Sequence, residues 1–236
     1  MNNSFVLILP SAGRGNRFGE KVPKQYFRLG NISIFELSLN PFLEFPECCG
    51  ICVPKASDDL YWKNIDVKTS NIHFINGGKT RLESVAQGVK FWKESKIDFS
   101  YIIIHDSVRP CLKAEDIRSL LEALEGKQVD GAILGVPAVD TMKIVSDKDL
   151  MIVNTAERKP LWMAYTPQVF RKEVLFKAFQ NVALNGDFFR DEASLVEAIS
   201  GRIKMVEGSR ENIKVTYPED VNLVRFILEE QGRLKS

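Results

Sequence analysis

The chain has 236 residues, 44% of them hydrophobic, which is enough to bury a large α/β core. Its formal net charge is +1, with 32 Lys and Arg against 31 Asp and Glu. That balance excludes a general attraction to nucleic acid or to an anionic membrane, so any anion site must be built locally.

The first apolar run, Phe5–Leu9, is too short for a secretory leader and lacks a basic segment before it. No stretch reaches membrane-span length, and a cytoplasmic protein is expected. Cys48, Cys49 and Cys52 cluster at the start of a second apolar run, with Cys111 apart. His73 and His105 are the only histidines, and no Cys/His pairs stand at zinc spacing. Reduced thiols are therefore expected.

In chain order, Phe5–Leu9, Ile51–Val53, Phe74–Ile75, Tyr101–Ile104 and Ala132–Val136 read as strands. They are continuously apolar, as in strands covered on both faces. Helix signals separate them. Ser33 to Glu36 forms a capping-box pattern ahead of Leu37 and Leu43, and Thr80 to Glu83 forms another ahead of Val85, Val89 and Trp92. Ile117, Leu120, Leu121 and Leu124 share a helical face. Near the end, Pro218 suits a first helical position before the stripe Val221, Val224 and Leu228. This rhythm predicts an α/β, Rossmann-like, doubly wound and mostly parallel sheet, with ligands beyond the carboxyl ends of the strands. The expected organisation is one domain over 1–236.

Asp140–Arg158 breaks the rhythm. Val139, Met142, Ile144, Val145, Ile152 and Val153 surround a turn-like Ser146-Asp147-Lys148-Asp149. A β-hairpin is expected, with too few apolar neighbours to cover both faces. It is expected to project as an arm, over about 139–158, and pack on a second subunit.

The first strand runs into Pro10-Ser11-Ala12-Gly13-Arg14-Gly15-Asn16-Arg17-Phe18-Gly19. Glycines let backbone N–H groups converge on a close ligand, and Arg14, Arg17 and Lys24 add full charges on the same segment. A glycine-rich turn with solvent-facing cations fits the same residues. No Gly-Lys-Ser/Thr follows, and Arg17-Phe18 stands where a dinucleotide fingerprint needs its third glycine. A phosphate loop that is neither a P-loop nor a nicotinamide site is expected.

The loop Ser11–Gly19, followed by Pro23-Lys24-Gln25, resembles the signature of the 2-C-methyl-D-erythritol 4-phosphate cytidylyltransferases. The resemblance continues through Gly77-Gly78-Lys79-Thr80-Arg81 with Ser84, His105–Pro110, Asp140–Lys143, Leu161-Trp162, Thr166-Pro167-Gln168, Asp191–Ser194 and Asn212–Thr216. It implies transfer of CMP from CTP to methylerythritol phosphate, with Mg²⁺ or another divalent cation, in the non-mevalonate isoprenoid pathway. It also implies a homodimer in which each arm reaches toward the other subunit's substrate.

By this resemblance Arg17, Lys24 and Lys214 are the catalytic cations, acting on the triphosphate and on charge developing at the α-phosphorus. Ser11 and Ala12 lie beneath the nucleotide, Gly13 and Gly15 bind it as part of the phosphate loop, and Gly77, Gly78 and Ser84 match the cytosine-binding segment. Asp106 ends a strand where the fold rule puts ligands; it is assigned to the nucleotide and to Mg²⁺, directly or through water. Arg109, Thr141 and Arg158 match contacts to the acceptor phosphate. Each has a plainer reading: Lys214 as a strand cation, the double glycine as a βα turn, Asp106 as a turn aspartate, Arg158 as a surface cation, and Asp191 as a helix N-cap. Arg190 stands where the family more usually has threonine, and Lys79 where an acidic residue is frequent.

Three other readings share these residues. A ribitol 5-phosphate cytidylyltransferase has the same loop and a different acceptor. A sugar-1-phosphate uridylyl- or thymidylyltransferase fits the double glycine and the chain length less well. A non-catalytic nucleotide-binding module would not need both Lys24 and Lys214.

Overall fold

The computed structural model describes residues 3–13, 18, 22–67, 69–126, 128–181 and 189–234. Arg14, Gly15 and Arg17 lie outside these described residues.

Strand β1 (Phe5–Ile8) is buried throughout and pairs in parallel with β4 (Cys48–Lys55) on one side and β6 (Tyr101–Ile104) on the other. β5 (Ile72–Asn76) extends the sheet beyond β4. On the other side follow β10 (Trp162–Arg171), β7 (Gly131–Pro137) and β11 (Ile203–Glu207). The resulting order is β11-β7-β10-β6-β1-β4-β5. The chain thus winds to one side of β1 and then crosses to the other, which makes β1 the switch point where a ligand crevice opens.

Alternation along β1 sorts two helical layers. Phe5 and Leu7 face Phe35 and Leu39 of α1 (Ile34–Leu39), and Ile117 and Leu120 of α3 (Ala114–Ala123). Val6 and Ile8 face Val85, Val89 and Trp92 of α2 (Arg81–Glu94). The same side holds α4 (Lys172–Asn181) and α5 (Glu192–Ala198). A strand buried on both faces needs apolar residues at every position, which explains the continuous runs.

A third apolar cluster joins α6 (Asp220–Glu230) to the short ribbon β2 (Arg28–Leu29) and β3 (Ile32–Ser33). Phe18, Leu29, Val108, Val215, Val224 and Leu228 meet there. This cluster braces the loops that lead to the crevice.

The structure bears out some of the local expectations, adds detail to the sheet and corrects others. One strand, β10, runs antiparallel between β6 and β7. Its ladder shifts register between Ala164 and Gln168, around Pro167, which has no N–H to donate. The Ser33 capping box forms in full. At Thr80 only half of it forms: Thr80 accepts from the Glu83 N–H, while Glu83 turns to the Lys79 N–H. Leu43 is exposed, because a 3-10 turn at Asn40–Glu44 carries the chain off the α1 face. Pro218 precedes the first helical residue, Asp220, and its carbonyl accepts from the Val221 N–H at 3.1 Å. All four cysteines are free thiols.

The expected hairpin is present as β8 (Lys143–Val145) paired antiparallel with β9 (Ile152–Thr155). Every residue of both strands is exposed, including Ile144, Ile152 and Val153. No helix among the described residues is long and apolar enough to cross a membrane.

Candidate active site

A cleft of about 1060 Å³ opens over the carboxyl ends of β1, β4, β5 and β6. Its floor is the chain leaving β1. The Ser11 N–H donates to the Pro54 carbonyl at 2.8 Å, fixing this segment beside β4. Buried Gln25 donates to the carbonyls of Ser11 and Gly13, at 2.9 and 3.2 Å. Loop carbonyls are thereby turned onto Gln25, and Ser107 holds the Pro10 carbonyl at 3.0 Å.

Gly77 and Gly78 form one wall. A Cβ on Gly77 would lie 2.9 Å from Ala12 Cβ, and one on Gly78 would lie 2.2 Å from Glu83 Cβ. Side chains are therefore excluded at both positions by contact with their neighbours. Ser84 Oγ accepts from the Gly78 N–H at 3.0 Å and donates to the Thr80 carbonyl at 2.9 Å. Its hydroxyl pins the glycine turn to the start of α2.

The opposite wall brings together cations distant in sequence. Lys24 follows Pro23 in a short 3-10 turn, and its Nζ donates to the Val215 carbonyl at 2.8 Å. Val215 is buried in the third cluster, and its N–H donates to the Val108 carbonyl at 2.9 Å. That anchor presents neighbouring Lys214 to the cleft, where its Nζ lies 2.8 Å from Asp106 Oδ2.

Asp106 is the hub. Arg81 Nε donates to its Oδ1 at 2.8 Å, and Arg109 Nε lies 3.6 Å from its Oδ2. Thr166 Oγ1 accepts from the Asp106 N–H at 3.0 Å. Burial works to raise this carboxyl, but the charges of Arg81, Lys214 and Arg109 outweigh it and hold it well below the usual carboxylate range. The group is anionic wherever the protein is folded near neutrality.

Of the residues singled out in the sequence, Ser11, Ala12, Gly13, Lys24, Gly77, Gly78, Ser84, Asp106 and Lys214 border this cleft. Arg109 sits elsewhere: it is buried behind Asp106, stacks 4.7 Å over the Tyr165 ring and donates to the Asn212 carbonyl at 2.7 Å. Thr141 and Arg158 are exposed near the arm and do not line the cleft. Arg158 donates to the Val139 carbonyl. Asp191 is the N-cap of α5, accepting from the Ser194 N–H at 3.0 Å, and also accepts from Gln168 at 2.8 Å. Arg17 and Gly15 are outside the described residues.

Arg81 and Glu192 received no role from sequence reasoning. Arg81 spans Asp106 and Glu192, contacting both oxygens of the latter, at 2.7 and 3.0 Å. The available signal was an arginine beside the double glycine, which alone names no partner.

His105 is fully buried between the Thr166 hydroxyl and the Arg109 carbonyl. Burial pushes its pKa down to about 3, so it is neutral in the fold. Between about pH 6.5 and pH 3 the unfolded chain binds a proton here that the folded chain does not, so this residue makes stability fall with falling pH. The expected slope is about 1.4 kcal/mol per pH unit. Urea unfolding of His105→Gln from pH 6 to pH 4 should show a shallower loss than wild type; equal slopes would contradict the assignment.

The family model described as 2-C-methyl-D-erythritol 4-phosphate cytidylyltransferase matches residues 5–230. A relative of that name from Haemophilus influenzae is 38% identical over 228 residues, covering 97% of this chain and 98% of its own. One from Wigglesworthia glossinidia brevipalpis is 35% identical over 225 residues, covering 95% of each. The crystal structure of the Francisella tularensis 2-C-methyl-D-erythritol 4-phosphate cytidylyltransferase superposes with a TM-score of 0.77 at 31% identity, covering 95% of this chain and 100% of its own. With the cleft at the switch point of the same fold, the chain belongs to the 2-C-methyl-D-erythritol 4-phosphate cytidylyltransferase family.

Proposed function

We propose that the chain joins CTP to 2-C-methyl-D-erythritol 4-phosphate, giving 4-diphosphocytidyl-2-C-methyl-D-erythritol and pyrophosphate, and that the cleft over β1 is where it does so. The observation that carries this reading is the convergence of Lys24 and Lys214 on one cleft whose other wall is the double glycine. An acceptor phosphate oxygen attacks the α-phosphorus, its bond forms as the bond to pyrophosphate breaks, and the leaving group carries the electron pair away. The nucleophile is already an anion, so no strong base is needed, in keeping with a neutral, buried His105. Lys24 and Lys214, with Arg17, balance the charge that accumulates on the phosphates. Backbone groups at Gly77 and Gly78 face the base, with Ser84 holding their turn.

Among the described residues no group of three or more His, Cys, Asp or Glu side chains gathers to hold a metal. Mg²⁺ commonly takes one or two carboxylates and completes its shell with substrate phosphates and water. Asp106 borders the cleft with its two oxygens held by Arg81 and Lys214, so in this reading the ion would rest on the triphosphate and water and would meet Asp106 through a water. When bound, the ion supplies further neutralisation of the triphosphate.

Thr141 and Arg158 are assigned to the acceptor phosphate across a homodimer, while Arg109, buried behind Asp106, is left with a supporting place beside that carboxylate. The exposed apolar arm supports that assembly, because isolated two-stranded hairpins are marginal in water without a partner surface. Replacing Ile152 and Val153 with aspartate should convert a dimer to monomer in sedimentation at micromolar concentration; a wild-type monomer would contradict the arm's role. Free thiols support a cytoplasmic location.

The deciding experiment offers purified protein CTP with Mg²⁺ and each of two acceptors. Pyrophosphate release should require acceptor and divalent ion, with kcat/KM for methylerythritol phosphate at least about tenfold above that for ribitol 5-phosphate. The reverse preference would move the chain to the ribitol reading, and release without acceptor would contradict transfer.

A further inference from the structure

We propose that Glu192 is a positioning residue for the transfer, acting on Lys214 through Arg81 and Asp106. The inference rests on the cytidylyl-transfer reading above.

Glu192 is fully buried and does not line the cleft, so any influence on the reaction must pass through its partners. Its partner is Arg81, whose Nη1 meets both its oxygens. Arg81 Nε then meets Asp106 Oδ1, and Asp106 Oδ2 meets Lys214 Nζ, each at 2.8 Å. The relay runs from the start of α5 to a cation whose side chain is 38% exposed at the cleft.

The far end of the relay is rigidly mounted. Glu192 is the first residue of α5, directly after the Asp191 cap. Gln168 of β10 donates to Asp191 and accepts from the Ala193 N–H at 3.1 Å. Gln168 also pairs in register with Ile104 of β6, two residues before Asp106. Both carboxylates that hold Arg81 therefore hang from one paired segment of sheet.

Charge shows why the second carboxylate matters. Asp106 alone faces Arg81, Arg109 and Lys214. Glu192 takes one face of the Arg81 guanidinium and leaves Asp106 Oδ2 to Lys214. Burial pushes the Glu192 carboxyl up and Arg81 pulls against that push, so the pair is held by its two-oxygen contact. With Glu192 neutral, Arg81 has a single counter-ion and competes with Lys214 for it. Lys214 is then less firmly placed where the phosphates arrive.

The test is a double-mutant cycle on pyrophosphate release from CTP and methylerythritol phosphate. Glu192→Gln keeps the shape and one acceptor but removes the charge. It is expected to lower kcat about tenfold in the wild-type background and less than about threefold in a Lys214→Ala background, because the relay ends at Lys214. A merely structural role lowers the folded fraction by the same factor in both backgrounds, and equal factors would overturn the proposal. So would an unchanged kcat. Should Glu192→Gln fail to fold, Arg81→Lys takes its place in the cycle, since lysine keeps the charge but lacks the fork that spans both carboxylates. The same pair of factors is expected and the same equality overturns it. A wild-type chain that releases no pyrophosphate with this acceptor overturns the transfer reading, and the relay with it; an active wild type with additive mutants overturns the relay alone.

Discussion

Lys214→Ala is expected to lower kcat about a hundredfold while the protein unfolds within about 3 °C of wild type. The loss corresponds to about 3 kcal/mol of transition-state stabilisation, the size of one well-placed charge contact in a closed site. The fold should tolerate the change because Asp106 keeps Arg81 at 2.8 Å and its N–H keeps Thr166. Neighbouring Val215 stays anchored through its own N–H to Val108, so the backbone path does not depend on the lysine. Steady-state pyrophosphate release and a thermal melt measure both halves. Turnover near wild type would remove Lys214 from the reaction; a collapsed melting temperature would reassign it to the fold.

Lys24→Ala is expected to cost a similar factor, about a hundredfold in kcat. Its turn has other supports: Gln25 binds two loop carbonyls, and the Tyr26 hydroxyl donates to Asp59 at 2.6 Å. Removing the ammonium therefore leaves the turn in place and takes away charge at the cleft. Groups that stabilise one transition state together are not additive, so Lys24→Ala with Lys214→Ala should lose less than the product of the single losses. A full product would mean that the two cations stabilise that transition state independently of each other.

The central sheet was legible because a strand covered on both faces must be apolar at every position, as β1 and β6 are. The arm was legible for the opposite reason, an apolar hairpin with nothing beside it to bury it. β10 was not. Trp162–Arg171 starts exposed, ends buried and carries Pro167 where its ladder breaks, so neither alternation nor a continuous run marks it. The end of α1 misled through Pro41, which allows a 3-10 turn and turns Leu43 outward.

At the cleft, Lys24, Lys214, Gly77 and Gly78 could be singled out because they are residue types expected around a phosphate ligand, and these four border one cavity. The relay could not. Arg81 and Glu192 are 111 residues apart and meet only because α2 and α5 pack on the same face of the sheet. Gln25 and Ser84 were visible as motif members, yet their work on loop carbonyls and on the Gly78 N–H is a property of the folded turns. Arg109 shows the converse: its position after Asp106 suggested a ligand contact, and the fold surrounds it with Tyr165 and Asn212.

The most direct measurement is a crystal structure with CTP and methylerythritol phosphate bound. It should show the triphosphate within hydrogen-bond reach of Lys24 and Lys214, the base against Gly77 and Gly78, and Arg17 turned toward the phosphates. A nucleotide seated elsewhere, or those lysines directed away from it, would contradict the account.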